Sequence, residues 1–569
     1  MNRGAIAHMP DKRYCFCLSP GRFLFRLQTG RDDIEKVILH YRDKYIPVFL
    51  LDTRQTTEMK LVARDGCHDY FEAELEIDVV CLRYFFEIVD RTGERIYYCN
   101  CRFLSEAPED NDRMFDLPQN LREIERFEVP DWAKNAVVYQ VFPARFASSQ
   151  PVPEEVWYQA PMDGRADLKG DLKGMADRLE YIRDLGADVL YMTPVFKSNS
   201  VHKYDTIDYY TVDPSFGTNE DLIALVEKAH GLGLRVVLDA VFNHTAPEFF
   251  AFKDLMEHWP DSSYRDWYYA KEKPVIPKTR LVKPNYKCFG YFGGMPKLNV
   301  ENPETADYFI DVALYWLRTA KIDGWRLDVG DEVSHYFWKK FRDAVKAEFP
   351  DALIVGEVWH YAADFLQGDN WDTVMNYPFL NAAMDFVNDG TITASEFVNE
   401  LGFLRGNLHN AVIPLLWNLL GSHDTPRVLH RCGGNKKKLK LMAAMQMLLP
   451  GSPMIYYGDE VGLAGARDPD CRRGMLWDEA RRDRDLLEWY RKLIRLRKAF
   501  PQLLEEAPDS VKTDDQRGLV LIEWENLVVA FNGTGKKVSV PAYAGAEDLL
   551  GGTFSGTLQG YQAAVLKLI

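Results

Sequence analysis

"NEDLIALVEKAHGLGLRVVLDAVFNHT", Asn219 to Thr245, decides the fold. An amphipathic helical stretch runs through a glycine-containing turn into a short apolar strand, and the strand closes on Asp239, Asn243 and His244. The same alternation recurs on both sides. Upstream, "AVVYQVFPARF" (136–146) precedes "GMADRLEYIRDLG" (174–186), and "DVLYMTPVF" (188–196) precedes the quoted helix. Downstream come "DGWRLDV" (323–329), "LIVGEVWH" (353–360), "DTVMNYPF" (372–379), "IPLLWNLLGSHD" (413–424) and "PMIYYGDE" (453–460). Eight apolar strands, each expected to be followed by a helix, predict a (β/α)8 TIM barrel over 123–504. Few helical signals lie between "VFNHT" (241–245) and "MPKLNVENP" (295–303), so an inserted domain after strand three is expected at about 245–297.

The flanks are β-rich. "RFLFRLQTG" (22–30), "KVILHY" (36–41), "YFFEIVD" (84–90) and "ERIYYCN" (94–100) predict an N-terminal β-sandwich over 1–122. A charged, proline-punctuated linker follows at 105–135. "GLVLIEWENLVVAFNG" (518–533) and "AAVLKLI" (563–569) predict a C-terminal β-sandwich over 505–569. The fold class expected is therefore multidomain α/β.

A net charge of −16 argues against nucleic acid, which needs a basic footprint, and against an anionic membrane surface. With 13 Trp and 29 Tyr the chain is equipped to stack on a neutral ligand. No apolar run approaches a membrane span and the N-terminus lacks a signal-like apolar core, so a cytoplasmic location is expected. Six of the nine cysteines fall by Cys101, including Cys15/Cys17 and Cys99/Cys101. Two thiols in C-x-C on a strand share a face, which leaves a metal or disulfide open. Without ligand-spaced partners, buried free thiols are the expectation.

A barrel works at the carboxyl ends of its strands. There the sequence places Asp239, Asn243 and His244 on strand three, Arg326 and Asp328 on strand four, Glu357 on strand five, and His423 with Asp424 on strand seven. One Asp at a strand end more often caps the next helix, and one His more often is a satisfied core residue. Their convergence on four strand ends, with Tyr204 and Trp359 nearby, is what capping alone does not produce. A metal site predicts paired His or an Asp-x-Asp-x-Asp loop, and neither is present. Glycoside hydrolysis needs one carboxylate as nucleophile and one carboxyl as acid.

"DAVFNHT" (239–245), "GWRLDV" (324–329), "GEVW" (356–359) and "GSHDTPR" (421–427) resemble the four signature segments of the α-amylase family, glycoside hydrolase family 13. "HKYDTIDYYTVDPSFGT" (202–218), "MPKLNVENPE" (295–304), "MNYPF" (375–379), "GSPMIYYGDEVGL" (451–463) and "DPDCRRGMLWD" (468–478) resemble its cyclomaltodextrinase, neopullulanase and maltogenic amylase subgroup. The resemblance implies that the N-terminal sandwich is of the family-34 carbohydrate-binding type. It implies Asp328 as nucleophile, Glu357 as general acid/base, and Asp424 as the residue holding the sugar hydroxyls in subsite −1. Arg326, His244 and His423 match the other −1 contacts, Tyr204 the stacking ring, Asp468 and Arg472 the −2 pair, and Trp359 an acceptor-side aromatic. Arg326, two residues before Asp328, is expected to lower its pKa by roughly 1–3 units. Retention of configuration predicts carboxyl groups about 5–5.5 Å apart.

The implied substrates are cyclomaltodextrins and short maltooligosaccharides, with maltose and glucose as products and some transglycosylation. Neopullulanase-like or α-glucosidase/acarbose-hydrolase-like preference is the alternative; a non-catalytic glycan-binding scaffold is a distant one, because all three carboxylates are kept. A nucleotide enzyme lacks its phosphate loop, since "GLGLRVV" (231–237) has no third glycine. Relatives dimerise through the N-terminal module, so a homodimer is expected.

Two departures stand out. Where relatives bind calcium, this chain reads Ser148, Ser149, Gln150 and Pro151, and only Gly170 and Asp171 match. One carboxylate is too few for a cation needing about six to eight oxygens, so no cofactor and no calcium are expected. After the nucleophile, Gly330 and Asp331 replace an Ala-Asn pair.

Overall fold

Thr218 caps the helix Asn219–Gly231 with a capping box, its hydroxyl accepting from Asp221 while the Asp221 carboxylate accepts from the Thr218 backbone. Leu222, Leu225, Val226 and Ala229 form the buried face of that helix. The strand after it, Arg235–Ala240, is buried from its second residue onward. In the computed structural model, which describes all residues except 47–53, 80, 101, 110–112, 118–125, 279–281, 506 and 569, this strand is one of eight in a closed parallel barrel. The strands are Val138–Val141, Val189–Met192, Arg235–Ala240, Gly324–Leu327, Leu353–Gly356, Thr373–Asn376, Trp417–Leu419 and Ser452–Tyr456, each paired with its neighbours in sequence order and the last with the first. They are the eight runs read from the sequence.

One expectation fails. Strand five is followed by no α-helix; residues 357–372 hold only a 3-10 turn, Ala363–Phe365. The segment is interrupted by Gly368 and by Asp364, Asp369, Asn370 and Asp372, which break helical periodicity. In place of a helix, Trp371 is fully buried there, with its ring where a Cβ on Gly330 or Gly356 would lie, 2.7 and 2.1 Å away. The Gly330 departure thus has a packing reason: any side chain would collide with that indole.

Among its described residues the inserted segment between strand three and the helix Pro303–Thr319 contains one short α-helix, Phe250–Glu257, two 3-10 turns and isolated antiparallel bridges, among them His244 with Lys297 and Tyr268 with Leu298. The C-terminal strands form a six-stranded and a two-stranded sheet around Val528, Ala530, Val538, Phe554, Leu558 and Leu566.

A separate unit comprises Met1–Glu128 with Ala363–Gly368 and Ile392–Ile413. Its strands form two antiparallel sheets, one running Cys15–Ser19, Arg22–Gly30, His68–Glu76, Lys60–Arg64 and the other built around Ile34–Asp43 and Leu82–Asp90. Phe25, Leu27 and Phe71 from one sheet meet Val37, Leu39, Phe86 and Ile88 from the other, which is sandwich packing. The helix Ala394–Asn407 belongs to this unit. From it Arg405 joins Arg26 on the buried Glu72, at 2.8 and 2.6 Å. Burial alone would raise the Glu72 carboxyl, but Arg405 and Arg26 hold it down to about 2. Cys15 and Cys17 are buried in the first strand; Cys101 and the expected 122/123 boundary lie outside the described residues. Among the described residues no helix is long and apolar enough to cross a membrane.

Candidate active site

Trp325 packs on Phe242 and Phe196, so the strand pleat turns Arg326 the other way, to the barrel axis. Parallel register sets Arg326 opposite Asp239 on strand three, and Asp328 follows the strand end. The fully buried guanidinium lies 3.0 Å from Asp239 and 3.0 Å from Asp328 through Nη1, and 2.8 Å from Glu357 Oε2 through Nη2. The last is an ion pair without hydrogen-bond alignment, because that N–H does not point at the oxygen. One cation therefore serves three buried carboxylates.

That sharing corrects the expectation for Asp328. Burial pushes its carboxyl well above the ordinary range, Arg326 pulls it down, and Glu357, Asp239 and Asp424 push it up again; the net direction is up. Asp239 is pushed up to about 6, chiefly by burial. Glu72 shows the opposite ratio, two guanidinia on one carboxylate, and the opposite sign.

Glu357 is held from both sides. Trp359 Nε1 donates to Oε1 at 3.1 Å and the Val329 backbone N–H donates to Oε2 at 3.0 Å. Each oxygen keeps a second lone pair, so the carboxyl can still carry a proton. Trp359 is 50% exposed and stacks on Tyr377 at 4.3 Å between centroids.

In the loop that follows strand seven, His423 Nε2 lies 3.1 Å from Asp424 Oδ2, and its ring stacks parallel to Tyr204 at 5.4 Å. The Tyr204 hydroxyl meets His423 Nε2 at 2.5 Å and donates to Asp239 at 3.1 Å. Arg472 bridges Asp424 at 3.0 Å and Asp468 at 2.9 Å, and its Nε donates to the His423 carbonyl. Arg427 in the same motif is structural: fully buried, it pairs with Asp459 and donates to the Cys471 carbonyl, pinning the loop that carries Arg472.

His244 is buried with Nε2 lacking a partner among the described residues, and Phe289 stacks on its ring at 5.1 Å. Burial, with Lys297 adding to it, pushes His244 down to about 3, so the ring is neutral at neutral pH.

Nine of the ten non-metal site residues expected from the sequence thus fall into two linked groups, one on Arg326 and one on Arg472, and His244 stands beside them with its Nε2 open. A cavity of about 470 Å³ is lined by Trp359, Tyr377, Asp424, Arg431, Arg467 and Asp468. Arg431 and Arg467 were not anticipated, since they stand beside the motifs. Nor were Gln140, 2.9 Å from His423 Nδ1, and Tyr191, which donates to Asp239 at 2.7 Å. Their one sequence signal is a polar group inside an otherwise apolar strand.

At the position where the resemblance places a calcium site, Asp171 faces donors. Its carboxylate accepts from the Ser149 hydroxyl at 2.6 Å, the Ser149 N–H at 3.2 Å and the Gly174 N–H at 2.6 Å. These residues do not fit a cation, which needs oxygens turned toward it.

Residues 140–489 match the alpha amylase catalytic domain, and residues 1–119 match the alpha amylase N-terminal ig-like domain. The chain belongs to the α-amylase family. Within that family it is 39% identical over 549 residues to a cyclomaltodextrinase of Geobacillus thermopakistaniensis (strain MAS1), covering 95% of this chain and 93% of that protein. It is 40% identical over 549 residues to neopullulanase 2 of Thermoactinomyces vulgaris, covering 94% and 92%. A solved cyclomaltodextrinase structure superposes with a TM-score of 0.91 at 35% identity, covering 100% of both chains. This α-amylase family member is a glycoside hydrolase.

Proposed function

We propose that the chain hydrolyses α-1,4-glucosidic bonds of cyclomaltodextrins and short maltooligosaccharides with retention of configuration, releasing maltose and glucose and transferring some glycosyl units to sugars. The observation that carries this reading is the single Arg326 guanidinium touching both Asp328 and Glu357, which sets the two carboxyl groups within one side chain's reach. Asp328 attacks the anomeric carbon while Glu357 gives its proton to the departing glycosidic oxygen. Glu357 then takes a proton from water, whose oxygen attacks the same carbon and releases Asp328. Asp424, His423 and the unpartnered His244 Nε2 offer partners to hydroxyls of the sugar being cleaved, with Tyr204 as its platform. Asp468 with Arg472 serves the next sugar, and Trp359 the acceptor.

The test is a product assay on β-cyclodextrin, maltotriose, pullulan and soluble starch, with NMR of the first anomer released. Cyclodextrin cleaved faster than starch, giving the α-anomer first, is expected; a β-anomer first would exclude the retaining mechanism. The narrow site implied by that preference goes with a homodimer closed by the N-terminal module, to be seen by light scattering. Preference for starch from a monomer would sink that part of the reading. Buried free thiols fit a reducing cytoplasm.

We further propose that no calcium is required, because Asp171 is already satisfied by Ser149 and Gly174. Dialysis against EDTA should leave both activity and the melting temperature unchanged. A fall in Tm restored by added calcium would show a bound ion stabilising the fold.

A further inference from the structure

Val329 stands between the two catalytic carboxylates in the left-handed region, with φ 48° and ψ 46°. For a β-branched residue this is a strained conformation that persists only where the surroundings impose it. The same residue's N–H holds Glu357. Each of the next three residues is gripped from a different element. The Gly330 carbonyl accepts from Trp338 Nε1 at 2.8 Å, from the helix His335–Glu348. Asp331 Oδ2 lies 3.2 Å from Nε2 of His360, the residue following Trp359. The Glu332 carbonyl accepts from Lys297 Nζ at 2.5 Å, from the inserted segment.

Lys297 is itself well placed to hold. Its backbone bridges to His244 and donates to the Lys287 carbonyl at 3.0 Å. Its ammonium also donates to Asn243 Oδ1 and lies 3.9 Å from Glu332 Oε2. The side chain is only 18% exposed, although a lysine of the same reach could extend into water. Burial lowers its ammonium to about 8 against the pull of Glu332, so the fold spends solvation on keeping it there.

We propose that Lys297 is a positioning residue for the proton that Glu357 delivers: by gripping the Glu332 carbonyl it maintains the Val329 turn and thereby the N–H on Glu357. The inference rests on Glu357 being the acid/base. It differs from a purely structural role of Lys297 in one consequence. A misplaced acid matters only when the leaving group needs a proton, whereas a loosened fold slows every substrate alike.

The experiment compares kcat/KM for maltotriose, whose leaving oxygen must be protonated, with kcat/KM for α-maltosyl fluoride, whose fluoride departs without a proton. Because kcat/KM reports only steps up to glycosylation of Asp328, the later need for a base does not enter. Lys297→Met is expected to lose about 10- to 100-fold on maltotriose and less than about threefold on the fluoride, a fraction of what full general-acid catalysis supplies. Lys297→Arg, which keeps two donors, should recover most of the maltotriose rate. Glu357→Gln is the reference, with a larger loss on maltotriose and the fluoride largely spared. Equal losses of Lys297→Met on both substrates, or no loss on either, overturn the proposal while leaving the Glu357 assignment intact. Equal losses of Glu357→Gln on both overturn the Glu357 assignment, and the Lys297 proposal falls with it. If Lys297→Met does not fold, the Lys297→Arg ratio decides: a maltotriose-selective deficit, with the fluoride spared, supports the role and a uniform one overturns it.

Discussion

Asp328→Asn should fold, melt at a higher temperature than the natural protein, and hydrolyse β-cyclodextrin about 10⁴-fold more slowly or worse in kcat/KM. The catalytic loss follows from removing the oxygen that bonds to the anomeric carbon; the amide is isosteric but no nucleophile. The stability gain follows from the charge count. Asp239, Asp328 and Glu357 surround one guanidinium in a buried site. Replacing one of the three with a neutral group removes a desolvated, under-compensated charge. Thermal unfolding and initial rates on one preparation check both halves. A variant that is dead and also less stable would mean that Asp328 holds the barrel rim together. A variant with natural activity would end its assignment as nucleophile. The same cluster bears on pH. Attack needs Asp328 ionised, and its carboxyl is pushed up, so the acidic limb of kcat/KM should lie above the range of a solvent-exposed aspartate.

Arg326→Met should have the largest effect on stability, about 3–5 kcal/mol, together with loss of activity. The natural pair of strands three and four brings Asp239 and Arg326 into register, and the substitution leaves three buried carboxylates without the cation they share. Its pH dependence has a definite sign. Asp239 already sits at about 6 with the guanidinium present, above the roughly 3.9 of an unfolded chain, and rises further without it. A carboxyl whose folded pKa exceeds its unfolded value contributes stability below the unfolded value and loses it as pH climbs through the folded one. The deficit of Arg326→Met against the natural protein should therefore be small near pH 4–5 and grow toward pH 7–8. Melting temperatures of both proteins across that range test it. A deficit that stays constant with pH would show that lost packing of the arginine stem, not charge, sets the cost.

The two results depend on different kinds of information. The eight barrel strands and their order were legible because each is a short apolar run with its own local period, closed by a polar residue where the chain leaves the barrel. The ten site residues were legible because they sit in segments whose order and spacing resemble a known family. The missing helix after strand five was not legible, because the wedge that replaces it, Trp371, gains its meaning only from Gly330 and Gly356 on either side. Gln140 and Tyr191 are single polar groups in apolar strands along the chain, and become partners of His423 and Asp239 only once the barrel closes.

Arg326 marks the boundary most sharply. By itself the sequence determined that an arginine stands two residues before the aspartate on one strand face, and from that pair alone Asp328 should be depressed. Tertiary structure brought Asp239 and Glu357 to the same guanidinium from strands three and five, and Glu72 to two arginines from elements far apart in sequence. Local pattern follows from covalent neighbours and so can be read along the chain. The ionisation of a buried group is a sum over every charge within a few ångströms and over the water excluded around it. That sum exists only after distant segments have met.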